Sequence, residues 1–190
     1  MAQPAHRKRR RSWDFPGHAH CLTFSCLDRR PFLRRERACL WLVDAIRQAK
    51  TKAPFDLWGY IFMPEHVHVI VHPADSVPVS SILYQIKKPV TTWAIAWLHR
   101  HRPSGLVTLE DPRPSGKVFH RFWLPGGGYD RSLRSVEDVY EKIEYIHANP
   151  VRRGLVTHPS QWQWSSWRCW HEHADEPLPV DRDTLPPRLL

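Results

Sequence analysis

The chain has 190 residues, enough for one domain with a normal core, and 42% of them are hydrophobic, including ten tryptophans and seven phenylalanines. Lys and Arg exceed Asp and Glu by 28 − 19 = 9 and the pI is near 9.8, so the natural partner is a polyanion, with nucleic acid ahead of an acidic membrane surface. No apolar run is long enough to span a membrane, no signal-peptide pattern opens the chain, and the four cysteines lack paired spacing, which argues against a membrane or secreted protein and for reduced thiols in the cytoplasm.

Residues 1 to 12 contain Arg7, Lys8, Arg9, Arg10 and Arg11 without an apolar pattern and read as a flexible basic arm. The arm is either a solvated tail or a phosphate-binding extension. His20 to Leu27 reads as a first strand, ended by Asp28-Arg29-Arg30-Pro31. Between Arg35 and Lys52, Cys39, Leu40, Leu42, Val43, Ile46 and Ala49 recur at helical spacing. Pro54 stops that helix, and Phe55 to Met63 forms a second strand. A zinc site built from His18, His20, Cys21 and Cys26 would crowd its ligands onto one strand.

The stretch Met63-Pro-Glu-His-Val-His-Val-Ile-Val-His-Pro73 carries the strongest chemical signal. Val67, Val69 and Val71 alternate with His66, His68 and Ile70, the period of a strand with one face buried. Residues i and i+2 of a strand project from one face, roughly 7 Å apart. His66 and His68 are therefore able to hold one cation while leaving most of its coordination sphere open. Taken alone, the pair equally describes two histidines on a half-exposed strand.

A Pro/Ser-rich link leads to a second helix over about 81–100, with Pro89 expected to kink it. Lys87, Lys88, Arg100 and Arg102 form either a cationic surface or an ordinary solvated face. Residues 101 to 117 read as a mobile loop. Val118 to Leu124 is strand-like, Pro125-Gly126-Gly127-Gly128 makes a flexible turn, and Tyr129 to Leu133 is a last strand. Ser135 to His147 is a helix with a Ser-x-x-acid cap, ended by Asn149-Pro150. Trp162, Trp164, Trp167 and Trp170 precede a Pro-rich tail; they either pack that tail onto the domain or stack on unpaired bases. The expected divisions are arm 1–12, one domain 13–170 and tail 171–190.

Tyr145 and Asn149 lie at i and i+4, on one helix face. A tyrosine attacks phosphorus directly when a divalent ion polarises the phosphate, and an amide oxygen from Asn149 would complete a shell begun by His66 and His68. Four segments, Met63 to His68, Phe122 to Arg131, Tyr145 to Val156 and Trp162 to Ser166, occur in the order found in REP-associated tyrosine transposases. The chain resembles this family, part of the HUH superfamily, from about residue 14 to 170.

The resemblance implies an α+β, ferredoxin-like fold with a central antiparallel sheet and cleavage of single-stranded DNA beside a hairpin, using Mg²⁺ or Mn²⁺. It makes Tyr145 the nucleophile that becomes linked to the 5′ phosphate, and His66, His68 and Asn149 the metal ligands. The basic arm, Lys87, Lys88 and Arg131 are the DNA-binding candidates, and the expected partner is hairpin-bearing single-stranded DNA bound by a monomer or homodimer in the bacterial cytoplasm, at the nucleoid. The arm and the inserted stretch 101–117 depart from the family pattern. The competing readings are a domesticated, non-cleaving hairpin binder and a metal-dependent hydrolase without a covalent step.

Overall fold

The computed structural model describes residues 17–112 and 114–188; the arginines of the basic arm lie outside them. Its elements are β1 (Ala19–Ser25), α1 (Glu36–Lys52), β2 (Phe55–Phe62), β3 (His66–Pro73), α2 (Val79–His101), β4 (Glu110–Pro112), β5 (Val118–His120), β6 (Tyr129–Leu133), α3 (Val136–His147), α4 (Asn149–Arg152) and α5 (Trp167–His171). The main sheet runs β2-β3-β1-β6, and every neighbouring pair is antiparallel. With α1 between β1 and β2, and α2 between β3 and β6, this is the ferredoxin-like α+β order that the motifs imply.

Strand parity decides which side chains meet which helices. Val67, Val69 and Val71 join Leu22, Phe24, Leu57, Tyr60 and Phe62 in the larger core beneath α1 and α2. Each valine is fully buried, worth about 1.5–3 kcal/mol. Ile70 belongs to the opposite core with Cys21, Ile61 and the α3 residues Val139, Ile143 and Ile146. Because side chains alternate, His66 and His68 share the Ile70 face, toward α3. A one-residue slip of β3 would drive both histidines into the larger core and take three valines out of it, so the hydrophobic effect holds the register. Gly128 at φ +78° lies against the Thr23 backbone, where any Cβ would collide with the Thr23 carbonyl; only glycine lets the turn close onto β1.

Several sequence expectations change. The α2 helix is slightly longer than expected, with Pro89 inside it. The stretch read as a mobile loop is a turn of 3₁₀ helix (Pro103–Leu109) followed by the β4–β5 hairpin. Asn149 does not simply end α3; it opens α4, with Pro150 in the first turn, where a missing N–H is tolerated.

The Pro-rich tail is part of the fold. Asp181 Oδ2 accepts the Leu57 amide at 2.7 Å and pairs with Lys50, the Trp58 indole donates to Thr184 at 2.9 Å, and Leu178 and Leu185 are buried. Further along β2, the Phe62 and Ser166 amides bond to Trp164 and Tyr60 carbonyls. These contacts cover a strand edge that would otherwise present unpaired backbone groups. The tryptophans pack: Trp162 and Trp170 donate to the Phe62 and Trp58 carbonyls, and Trp164 stacks on Phe62. Among the described residues no helix is long and apolar enough to cross a membrane.

Candidate active site

His66 and His68 sit at the start of β3, and their Nε2 atoms meet at 3.1 Å. Each Nδ1 is held from behind. His66 Nδ1 faces Glu65 Oε1 at 2.9 Å, and since a carboxylate only accepts, His66 Nδ1 carries the proton and its Nε2 keeps a lone pair when neutral. His68 Nδ1 faces Thr23 Oγ1 at 2.7 Å, because β1 pairs Thr23 directly opposite His68. A hydroxyl accepts or donates, so the Thr23 contact suits either neutral tautomer of His68.

Burial disfavours the charged form of both rings. Burial lowers the His66 pKa despite Glu65. Burial, with the neighbouring charges of His66, Lys142 and Arg152, pushes His68 down to about 3. For Glu65, burial acts upward, but hydrogen bonds from Arg153 and His66 outweigh it and hold the carboxyl below its usual range. Arg153 Nη1 grips the same Oε1 atom that His66 uses.

Tyr145 lies on the same side of the sheet and is 45% exposed. The Lys142 ammonium sits 4.3 Å from its ring centroid and the Arg152 guanidinium 4.0 Å. The charges of Lys142 and Arg152 also help to lower the His68 pKa. Tyr140 points elsewhere: it packs edge-on against Trp170 and its hydroxyl approaches the Pro186 carbonyl at 3.4 Å.

Asn149 is 8% exposed. Its Oδ1 accepts from Arg152 at 2.6 Å, and its Nδ2 is buried without a partner. Among the described residues no hydrogen bond joins it to either histidine; Arg152 is the link. With His68 in its Nδ1–H tautomer, the two Nε2 atoms that meet at 3.1 Å offer two nitrogen donors to a divalent cation, whereas the Asn149 oxygen would first have to release Arg152. No group of three His, Cys, Asp or Glu side chains fits a metal among the described residues, so a cation here depends on the amide, on solvent or on substrate oxygens.

The remaining candidates are spread out. Lys87 Nζ bonds the Gly126 carbonyl at 2.8 Å, and burial, then Arg121, lowers its pKa to about 8. It braces the glycine turn. Lys88 caps the Tyr84 hydroxyl at 2.5 Å, and Arg131 pairs with Asp138 at 2.7 Å. The competing histidine pairs are engaged elsewhere: His18 with Ser132, His20 with Asp130, His171 stacked on Trp167 and His173 with Arg182. Sequence reading passed over Thr23, Glu65, Lys142, Arg152 and Arg153. Glu65, Arg152 and Arg153 lie inside the motif segments and were available; Thr23 carries no local signal.

No protein-family model matches the chain. Over 127 residues it is 28% identical to the REP-associated tyrosine transposase of Escherichia coli (strain K12), a match spanning 66% of this chain and 62% of that protein. The chain thus aligns with less than two thirds of that relative's length. Among solved structures, a REP-associated tyrosine transposase bound to a REP hairpin superposes with a TM-score of 0.68, at 22% identity, over 97% of this chain and 99% of that one. At that identity the superposition speaks to the fold. By motif, by sequence and by fold, the chain is similar to the REP-associated tyrosine transposases.

Proposed function

We propose that the chain is a DNA-processing enzyme of the transposase kind, which cleaves and rejoins single-stranded DNA beside a hairpin through a phosphotyrosine at Tyr145. The observation that carries this reading is two imidazoles meeting at 3.1 Å on the sheet face that packs against α3, together with an exposed α3 tyrosine flanked by two cations. The similarity to transposases, one of them solved with a REP hairpin, supports the substrate class.

Each residue then has a task. His66 and His68, steadied by Glu65 and Thr23, would hold Mg²⁺ or Mn²⁺ with Asn149 as the candidate third ligand. Such an ion, when bound, withdraws charge from a phosphate oxygen. Lys142 and Arg152 draw the phosphate toward Tyr145 and offset charge as it accumulates. The Tyr145 oxygen attacks phosphorus, its proton passes to water, and the bond to the 3′ oxygen breaks. That oxygen takes a proton and leaves as a 3′ hydroxyl, while the downstream piece stays on the protein through its 5′ phosphate. Rejoining runs the same steps backward.

The test is label transfer. Each variant is incubated with Mn²⁺ and hairpin-bearing single strands labelled at either end, then denatured. Wild type and Tyr140→Phe should carry label from the 3′ fragment. Tyr145→Phe should bind DNA without forming an adduct, and His66→Ala or His68→Ala should lose cleavage with binding within about tenfold, because phosphate contacts supply most affinity. An adduct from Tyr145→Phe, or one carrying the upstream piece, overturns the mechanism; absence of any adduct from wild type favours a non-cleaving binder.

A further inference from the structure

Arg152 holds a position that the proposed chemistry has to disturb. Lys142, Tyr145, Asn149 and Arg152 follow one another at spacings of three, four and three, which is one face of a helical path. The junction of α3 and α4 preserves that face. The Ala148, Arg152 and Arg153 amides bond to the Glu144, Ala148 and Asn149 carbonyls, the spacing of an unbroken helix. Asn149 opens α4 and Arg152 closes it, so the guanidinium lies over both of its neighbours. It donates to Asn149 Oδ1 at 2.6 Å and sits 4.0 Å from the Tyr145 ring centroid. Arg152 itself is exposed, whereas Asn149 is buried.

Only the oxygen of the Asn149 side chain suits a cation, because its nitrogen is a donor. That oxygen already serves a positive group, and a metal ion brought to it would be repelled by the guanidinium. Asn149 Nδ2 is buried without a partner, so Arg152 is the side chain's one recorded hydrogen-bond partner among the described residues. The next arginine is anchored differently: Arg153 pairs with the Glu65 carboxylate, a charged acceptor. Arg152 has a neutral amide and an aromatic face. A phosphate oxygen is a stronger acceptor than either, and the exposed guanidinium is open to it.

We propose that Arg152 is a positioning residue that withholds the Asn149 oxygen from the cation until a DNA phosphate draws the guanidinium away. The inference rests on the metal and phosphotyrosine reading above and adds an order to it: the histidines act first, and the amide joins once substrate is bound. Such coupling is reciprocal, so DNA tightens cation binding by the factor by which the cation tightens DNA.

Free Mn²⁺ read by electron paramagnetic resonance gives the dissociation constant without turnover. In DNA-free protein, Asn149→Ala should bind Mn²⁺ within about twofold of wild type, since the oxygen it removes is not in use, whereas Arg152→Ala should bind about tenfold tighter. Losing a positive charge raises cation affinity by itself, but equally with or without Asn149. Arg152→Ala/Asn149→Ala should therefore keep no more than about a third of the gain. Arg152 is exposed, so folding should survive; Arg152→Met, which still covers Tyr145, replaces alanine if thermal melting shows otherwise. With a hairpin-bearing single strand on Tyr145→Phe protein, and a DNA-only blank, adding Asn149→Ala should cost about tenfold in Mn²⁺ affinity. A loss from Asn149→Ala without DNA, no gain on removing Arg152, a gain intact in the double variant, or no cost of Asn149→Ala with DNA overturns the proposal. Wild type that binds no Mn²⁺ overturns it together with the metal site. Adduct formation at Tyr145, scored separately by label transfer, shows whether the phosphotyrosine reading stands when this one falls.

Discussion

Thr23→Val probes the candidate metal site without touching a ligand. In wild type the Thr23 hydroxyl stands 2.7 Å from His68 Nδ1, across a register that sets the two residues opposite each other. For His68 to present a lone pair at Nε2, its proton must sit on Nδ1, and the Thr23 oxygen is there to accept it. Valine has nearly the same shape and no acceptor. The substitution therefore leaves Nδ1–H unpaired in a largely buried place and frees the ring to turn. Removing a partner of this kind weakens metal binding by about 10–100-fold, or roughly 1.4–2.7 kcal/mol. Calorimetric titration of the DNA-free protein with Mn²⁺ reads that number directly, independent of cleavage. Thr23→Ser keeps the hydroxyl and should retain most of the affinity. If the valine protein binds Mn²⁺ as tightly as wild type, or if serine loses as much as valine, the role given to Thr23 is wrong.

Three further outcomes follow from packing and charge. Gly128→Ala forces a left-handed φ on alanine and drives a methyl into the Thr23 carbonyl, so urea unfolding should find it about 2–4 kcal/mol less stable; a change under about 0.5 kcal/mol would mean the turn moves aside freely. Asp181→Ala strips an acceptor from the Leu57 amide and an anion from Lys50 and should cost about 3 kcal/mol, whereas Asp181→Asn, still an acceptor, should cost about 1 kcal/mol; equal losses would dismiss the Lys50 charge. His147, buried against Ser166, is held down to about 3 from 6.5 by burial and then by His171. The unfolded chain takes up that proton first as pH falls, so the contribution is complete above pH 6.5 and is lost toward pH 3 at about 1.4 kcal/mol per unit. His147→Gln should flatten the acid limb of a stability–pH curve by that slope, and an unchanged limb would refute the assignment.

Local chemistry was legible because it is local. Alternation in Met63 to Pro73 announced a strand with one buried face, and β3 begins at His66 as that pattern requires. The Ser135 cap was readable from four residues, and its side chain accepts the Asp138 amide at 3.1 Å. The five-residue offset between Tyr140 and Tyr145 implied different faces, and the two rings do point apart, one against Trp170 and the other between Lys142 and Arg152.

What depends on distant partners was not legible. Residues 101 to 117 look polar and Gly/Pro-containing, yet they close onto the ends of α1 and α2 as a 3₁₀ turn and a hairpin. The final Pro-rich stretch looks like a tail, but β2 is an edge strand whose exposed amides and carbonyls are satisfied from outside the sheet. A strand edge's demand for partners is a property of the assembled sheet and leaves no mark on the segment that meets it.

The same division runs through the candidate site. The sequence by itself determined that two imidazoles leave one strand on one side and that Tyr145 sits on an amphipathic helix, since period 2 and period 3.6 are written in residue order. Only the tertiary structure decided that this side of the strand is the one α3 covers, that Thr23 stands behind His68, and that Arg152 reaches both Tyr145 and Asn149. Those contacts join residues tens of positions apart in the chain, and they exist because burial of Val67, Val69 and Val71 beneath α1 and α2 leaves the histidines no other face.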